Sequence, residues 1–167
     1  MEFKVNPKKI CFKAFAIMAN GEETIKINDR EHCGKWIKGD LSHYLEYYYI
    51  EKYIRIIPET LGQFTGYTLI DGSEIFENDI IKTILHTGKE IYYLIWFDRE
   101  GCETIVINIE DVKFDGINFN PIGCTSYTIG DFHIMLSDVY GMVKKSQVTG
   151  NLFDLDSFYN QEKYETS

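Results

Sequence analysis

Residues 64–83 read FTGYTLIDGSEIFENDIIKT. Asp71-Gly72 sits between TLI and SEIF, and Glu77-Asn78 turns the chain again before IIKTIL. Asp-Gly between apolar runs is the composition of a tight hairpin. Asn tolerates the left-handed conformation that such a turn often needs. Asp79 is placed to accept backbone N–H bonds at the second turn. The same residue types also build phosphate cradles and metal sites, but here each has a turn to make. Gly66, Asp71, Gly72, Asn78 and Asp79 therefore read as a structural turn motif. Two turns this close confine the chain to short extended runs.

That pattern continues. Strands are expected at 67–70, 74–76, 79–85, 90–97, 103–108 and 111–114, then at 117–118, 125–129 and 132–136, and near 147–153. Many short strands with turn signals every several residues predict a barrel or sandwich. Upstream, ICFKAFAIM at 10–18 reads as a strand entering the core, with EETIKIN at 22–28 as its hairpin partner across Ala-Asn-Gly. Residues 29–39 read as a polar loop around Trp36 and Ile37. Residues 40–57 read as a short helix near 41–49, capped by Asp40 or Ser42, followed by a strand near 52–57 that ends at Pro58. A helical turn is expected near Ser137 to Val143. The expected fold is mainly β with one or two short helices: a small, strongly bent SH3-like β-barrel with an N-terminal hairpin and helix region. The boundaries are 1–57 for the N-terminal region, 58–153 for the barrel and 154–167 for an acidic, frayed tail.

Fifteen per cent of the 167 residues are aromatic, which is ample for a core and favours strands. No apolar run approaches the roughly 20 residues that span a bilayer, and the short apolar AFAIMA after Lys13 makes no signal peptide. A cytoplasmic protein with no membrane partner is expected. Cys11, Cys33, Cys102 and Cys124 show no CxxC or CxxxC spacing, so free and mostly buried thiols are expected rather than a zinc ribbon or redox dithiol. The net charge of −9 is uneven: residues 1–57 carry +2 and residues 58–167 carry −11. The acidic part repels phosphate backbones, so ordinary nucleic-acid binding there is not expected.

Longer stretches carry a resemblance. IPETLGQFTGY at 57–67, followed by DGSEIFENDII at 71–81, resembles the signature of the YopX-like family of bacteriophage and prophage proteins. That signature is a Pro-Glu-Thr-x-Gly-Gln-aromatic-Thr-Gly segment, then Gly-x-x-Ile-aromatic-Glu-Gly-Asp-Ile. ICFKAF at 10–15 is similar to the family's opening strand, with Lys13 in place of a common Arg and Phe15 in place of a common Trp. VTGNLFD at 148–154 is similar to its closing Ile-Gly-Asn-Ile-Tyr segment. Asn78 stands where the family usually has Gly, and Leu69 where it often has Asp. The resemblance implies a mainly β protein encoded on phage or prophage DNA and often oligomeric. It implies no known activity, cofactor or catalytic residue.

The residues offer few sites. Asp71, Glu74, Glu77 and Asp79 would have to converge to hold a metal or work as acid and base, and the turn between Glu74 and Asp79 opposes that. Asp131 and His133, at i and i+2 in GDFHIM, would share one face of a strand and are the candidate ligand or base pair. Glu31, His32 and Cys33 are adjacent, and adjacent residues rarely converge. GxxxxGK[ST], GxSxG and HExxH are all absent. Tyr44, Tyr47, Tyr48, Tyr49 and Tyr53 are the candidate interface, because consecutive aromatics cannot all face one core. With Lys52 and Arg55 nearby, stacking on single-stranded nucleic acid is the alternative use. The expectation is an accessory protein without enzymatic activity, metal or cofactor, acting by self-association or by binding a host or phage protein. Two alternatives stand behind it: a ligand-binding or catalytic barrel with a pocket near His133, and a nucleic-acid binder using the weakly basic N-terminal region.

Overall fold

The computed structural model describes residues 10–27, 30–44, 46–51, 53–111, 126–137 and 141–154. Among these the chain is mainly β with one short α-helix, and its antiparallel sheet curls into a half-barrel. The strands are β1 (Phe12–Ile17), β2 (Glu23–Ile27), β3 (Arg30–Gly39), β4 (Leu41–Tyr44), β5 (Tyr47–Ile50), β6 (Ile54–Arg55) and β7 (Gly62–Thr68). They continue with β8 (Glu74–Phe76), β9 (Asp79–Leu85), β10 (Glu90–Asp98), β11 (Glu103–Asn108), β12 (Ser126–Thr128) and β13 (Val143–Asn151). The helix α1 is Ile129–Leu136. One five-stranded sheet has the order β2-β3-β1-β7-β8, a second has β12-β11-β10-β9-β13, and β4-β5-β6 form a third. The first sheet draws on both sides of residue 57, since Phe12 and Lys13 of β1 pair with Gln63 and Gly62 of β7.

The turn at Glu77-Asn78 joins the two large sheets. Glu77 N–H donates to the Gln63 carbonyl of β7 (3.0 Å), while Asn78 N–H donates to the Ile95 carbonyl of β10 (2.7 Å). Leu152 N–H in turn donates to the Asn78 carbonyl (2.7 Å). Gly62 lies against this turn, where an added Cβ would stand 2.3 Å from the Glu77 carbonyl oxygen, so no side chain fits. On one side of the second sheet, Ile81, Tyr93, Ile95 and Val106 pack with Leu69, Ile75 and the helical Phe132 and Leu136. A second cluster gathers Ile80, Leu94 and Ile109. In the first sheet β1 alternates: Ala14 packs with Ile50 and Ile56, and Phe15 packs with Ile25 and Ile57.

Several local expectations are corrected. Residues 30–39 are not a loop but the ten-residue β3, paired with β2 along one edge and β1 along the other. The segment expected at 22–28 as the hairpin partner of 10–18 therefore pairs with β3 instead, which lies between β2 and β1 in the sheet. The polar side chains of β3 disguise it, but a strand hydrogen-bonded on both sides is held by its backbone. The helix expected near 41–49 is replaced by two strands, Leu41–Tyr44 paired antiparallel with Tyr47–Ile50. A Tyr-rich run packs better on a pleated surface than on a helix. The strand expected at 52–57 is only Ile54–Arg55, plus a bridge between Ala16 and Ile56. The strand expected at 67–70 begins earlier, at Gly62, and ends before the turn that holds Leu69 and Ile70.

Residues 132–136 are helical rather than extended. Thr128 caps α1, its hydroxyl accepting from Asp131 N–H (3.1 Å) and donating to the Asp131 carboxylate (2.9 Å). That reciprocal cap lies in the sequence as Thr-x-x-Asp, a variant of the capping box. The helical turn expected near Ser137 to Val143 is displaced: α1 ends at Leu136, Val143 already begins β13, and 138–140 lie outside the described residues. The final strand starts at Val143 rather than 147. Asp111, the expected start of a strand, instead closes the 3-10 turn Ile109–Asp111; the rest of the strand expected at 111–114 and the one at 117–118 lie outside the described residues, as does most of the tail. No helix among the described residues is long and apolar enough to cross a membrane.

Candidate functional site

The turn motif divides into two parts. Gly66 and Gly72 have φ of 90° and 85°. Asp71 closes its turn by accepting Ser73 N–H at 2.9 Å, and this bond holds its carboxyl below the usual range. Asn78 has φ 70°, and its side-chain amide donates to the Leu61 carbonyl at 3.3 Å.

Asp79 does more than close a turn. Its side chain is buried, with Oδ2 accepting Phe76 N–H at 3.0 Å and Oδ1 ion-paired to Lys13 Nζ of β1. The Asn151 side chain also hydrogen-bonds it. Burial pushes the Asp79 carboxyl up, against the opposing pull of the Lys13 ammonium and these hydrogen bonds. Lys13 Nζ also lies 5.3 Å from the centre of the Trp36 ring. Trp36 packs edge-on against Phe15 at 5.5 Å, with Phe153 at 6.5 Å. A cleft of about 420 Å³ opens here, lined by Lys13, Ile25 and Trp36 of the first sheet and Val148, Gly150 and Asn151 of the second. Three distant segments, 10–15, 71–81 and 148–154, thus meet at Lys13, Asp79 and Asn151. Sequence reasoning missed this junction. The available signal was the unusual Lys13 in an otherwise apolar strand, ICFKAFAIM, which needs a buried counter-charge.

Asp131 and His133 are placed differently from the expectation. On α1 rather than a strand, residues two apart project about 200° from each other. Asp131 is occupied at the helix cap, and His133 packs its ring against Tyr67 at 4.9 Å. The four carboxylates of the 71–79 stretch also disperse. Glu74 reaches Lys38 at 3.3 Å, and Glu77 accepts Gln63 N–H at 3.1 Å and the Thr104 hydroxyl at 3.4 Å. Glu31 and Cys33 point to one face of β3 and His32 to the other. Among the described residues no three His, Cys, Asp or Glu side chains are grouped to hold a metal. Cys11 is buried, but Cys33 and Cys102 are exposed, which corrects the expectation of mostly buried thiols. Cys124 lies outside the described residues.

The tyrosines split by strand alternation. Tyr48 and Ile50 turn inward onto Ala14 and Ile56, and Tyr48 also stacks on His43 at 4.6 Å. Tyr47 and Tyr49 face the other way with Arg55, which is paired opposite Tyr49. The Arg55 guanidinium lies 3.9 Å from the centre of the Tyr47 ring. Tyr47 is 38% exposed, and Tyr53, in the turn before β6, is 85% exposed. The side chain of Tyr44 lies outside the described set. The small sheet therefore buries one aromatic face and offers another to solvent.

Comparison with known proteins adds a family. The family model described as YopX protein matches residues 12–154, most of the chain. No curated protein and no solved structure matches it.

Proposed function

The chain belongs to the YopX family, and from that premise we propose that it is a phage or prophage accessory protein that acts without catalysis, by associating with itself through its tyrosine sheet. The observation that carries this reading is the outward face of β4-β5-β6, with Tyr53 at 85% exposure and Tyr47 held under the Arg55 guanidinium. Tyr and Arg are enriched in interface cores, and a few such residues dominate binding. Charge favours the same face. Residues 41–55 carry Glu46 and Glu51 against Lys52 and Arg55 and so are neutral, which spares two copies meeting there the repulsion expected between residues 58–167, which carry −11.

Light scattering across a range of protein concentrations tests the reading. The unsubstituted chain is expected to scatter as an oligomer, and Tyr53→Ala to weaken association by about 30-fold or more, the scale of a hot-spot loss. A chain that scatters as a monomer at every concentration refutes self-association.

A further inference from the structure

A second cleft, of about 460 Å³, opens at the far end of the face that carries Phe15 and Trp36. Strand register fixes what lines it. Ile17 lies opposite Gly34, Ile25 opposite His32 and Ile27 opposite Arg30. Residues opposite one another share a face, and so do residues two apart on a strand. Ile17, Ile27, Arg30 and His32 therefore converge on one side. The facing wall is the stretch from Arg55 to Glu59, anchored by the Ala16–Ile56 bridge and by Ile57 N–H donating to the Phe15 carbonyl at 3.0 Å.

The chemistry of this lining is two-part. The floor is apolar: Ile17, 47% exposed, with Ile27 and the buried Ile56 and Ile57. Nothing projects from position 34 beside Ile17, and a Cβ there would stand 1.9 Å from the Ala16 carbonyl oxygen. The rim is cationic. The sequence has three arginines, and two of them, Arg30 and Arg55, border this cleft with His32, against the single carboxylate of Glu59. Stacking on Tyr47 steadies the Arg55 plane while leaving its N–H edge available for an oxyanion. In a chain of net charge −9, this is a local positive site. Its volume falls within the roughly 300–1,000 Å³ of small-molecule pockets.

We propose that this cleft binds a small organic oxyanion, a phosphate or carboxylate carried on a compact apolar body. The arginines take the oxyanion and the isoleucine floor takes the body. An acidic polypeptide fits less well, because it would set its own carboxylates beside Glu59 and leave the apolar floor empty. The cleft shares Arg55 with the tyrosine face, but Arg30, His32 and the isoleucine floor belong to it alone, so its binding and self-association are read by separate experiments.

Calorimetric titration at fixed ionic strength tests it, with phenyl phosphate and benzoate as probes and inorganic phosphate as the control. One or both aryl anions should bind more tightly than inorganic phosphate, and the tighter of the two identifies the oxyanion. Arg30→Gln should weaken that binding about tenfold or more, by loss of a charge-assisted contact. Arg30 is exposed at the start of β3, so this variant keeps the fold and the oligomeric state. Glu59→Gln should tighten binding about threefold, an effect that a purely structural role would not produce. Three results would overturn the proposal: no binding of either aryl anion, equal binding of inorganic phosphate, or unchanged affinity in Arg30→Gln. Binding of a glutamate-rich peptide in place of the aryl anions would also overturn it.

Discussion

Lys13→Met probes the lock between the two large sheets. Methionine keeps the length and the apolar stem of lysine and removes the ammonium. Asp79 stays buried, with Phe76 N–H and the Asn151 side chain as partners but no counter-charge. Breaking a buried pair from one side costs about 3–5 kcal/mol. The Lys13 side chain retains 15% exposure, so the lower end of that range applies, about 3 kcal/mol. At this chain length each kcal/mol moves Tm by about 2–4 °C, so Lys13→Met should melt roughly 6–12 °C lower. Removing both charges with Lys13→Met and Asp79→Asn together should recover more than half of the loss, because the Asn oxygen still accepts Phe76 N–H. Urea unfolding at neutral pH, followed by tryptophan fluorescence, to which Trp36 beside the pair and Trp96 both contribute, gives all the corners of this cycle. A loss under about 1 kcal/mol, or a double variant no better than Lys13→Met, refutes the lock.

The pH dependence has a definite sign. Burial holds the Asp79 carboxyl above the usual carboxylate range despite Lys13. An acid whose folded pKa is raised gives its full stability below the unfolded pKa and loses it as pH rises through the folded pKa. Removing Lys13 takes away a lowering influence and moves the folded pKa higher still. The penalty of Lys13→Met should therefore be smallest in mild acid and reach its full size at neutral pH. A penalty that does not change with pH refutes the electrostatic account, whatever its size.

Other perturbations separate turn chemistry from packing. Asn78→Gly relieves the left-handed backbone but loses the bond to the Leu61 carbonyl; each effect is worth about 1 kcal/mol, so chemical denaturation should find it near neutral. Asn78→Ala loses the bond without relieving the backbone and should cost about 1 kcal/mol. Gly62→Ala drives a Cβ toward the Glu77 carbonyl and should cost about 1–3 kcal/mol by the same assay. Thr128→Ala removes the α1 cap and should cost about 1 kcal/mol, with faster amide exchange confined to the helix.

Legibility followed the local signals. Strands β8, β9 and β11 could be bounded from sequence because Gly or Asn turn residues punctuate strongly apolar runs on both sides. β3 was hidden because its stability comes from backbone pairing on two edges, which its alternating charges do not announce. α1 was hidden because apolar FHIML suits a strand or a buried helix equally, and only the Thr128–Asp131 cap decides. That error carried into the site, since the Asp131–His133 pairing assumed a two-residue period. The Lys13–Asp79–Asn151 junction spans 66 residues in its first contact alone. No window along the chain contains it.

The segments by which the family is recognised meet at a lock rather than at an exposed surface, and this separates fold from function. Lys13, Asp79 and Asn151 lie in those three segments, whereas the tyrosine sheet lies in residues 41–55, between the first and the second. That sheet joins the body through Ile50, Tyr48 and the Ala16–Ile56 bridge, none of which uses the outward tyrosines. The outward face should therefore be replaceable without unlocking the sheets. Tyr47→Ser with Tyr53→Ser removes the exposed rings and the Arg55 stack. An exposed cation–π contact is worth about 0.5–1 kcal/mol, so the monomer should lose no more than roughly 1 kcal/mol. The same variant should abolish association in light scattering while its Tm falls by only about 2–4 °C. A much larger fall in Tm would mean that the tyrosines hold the monomer together, and the reading of this sheet as a binding surface would fail.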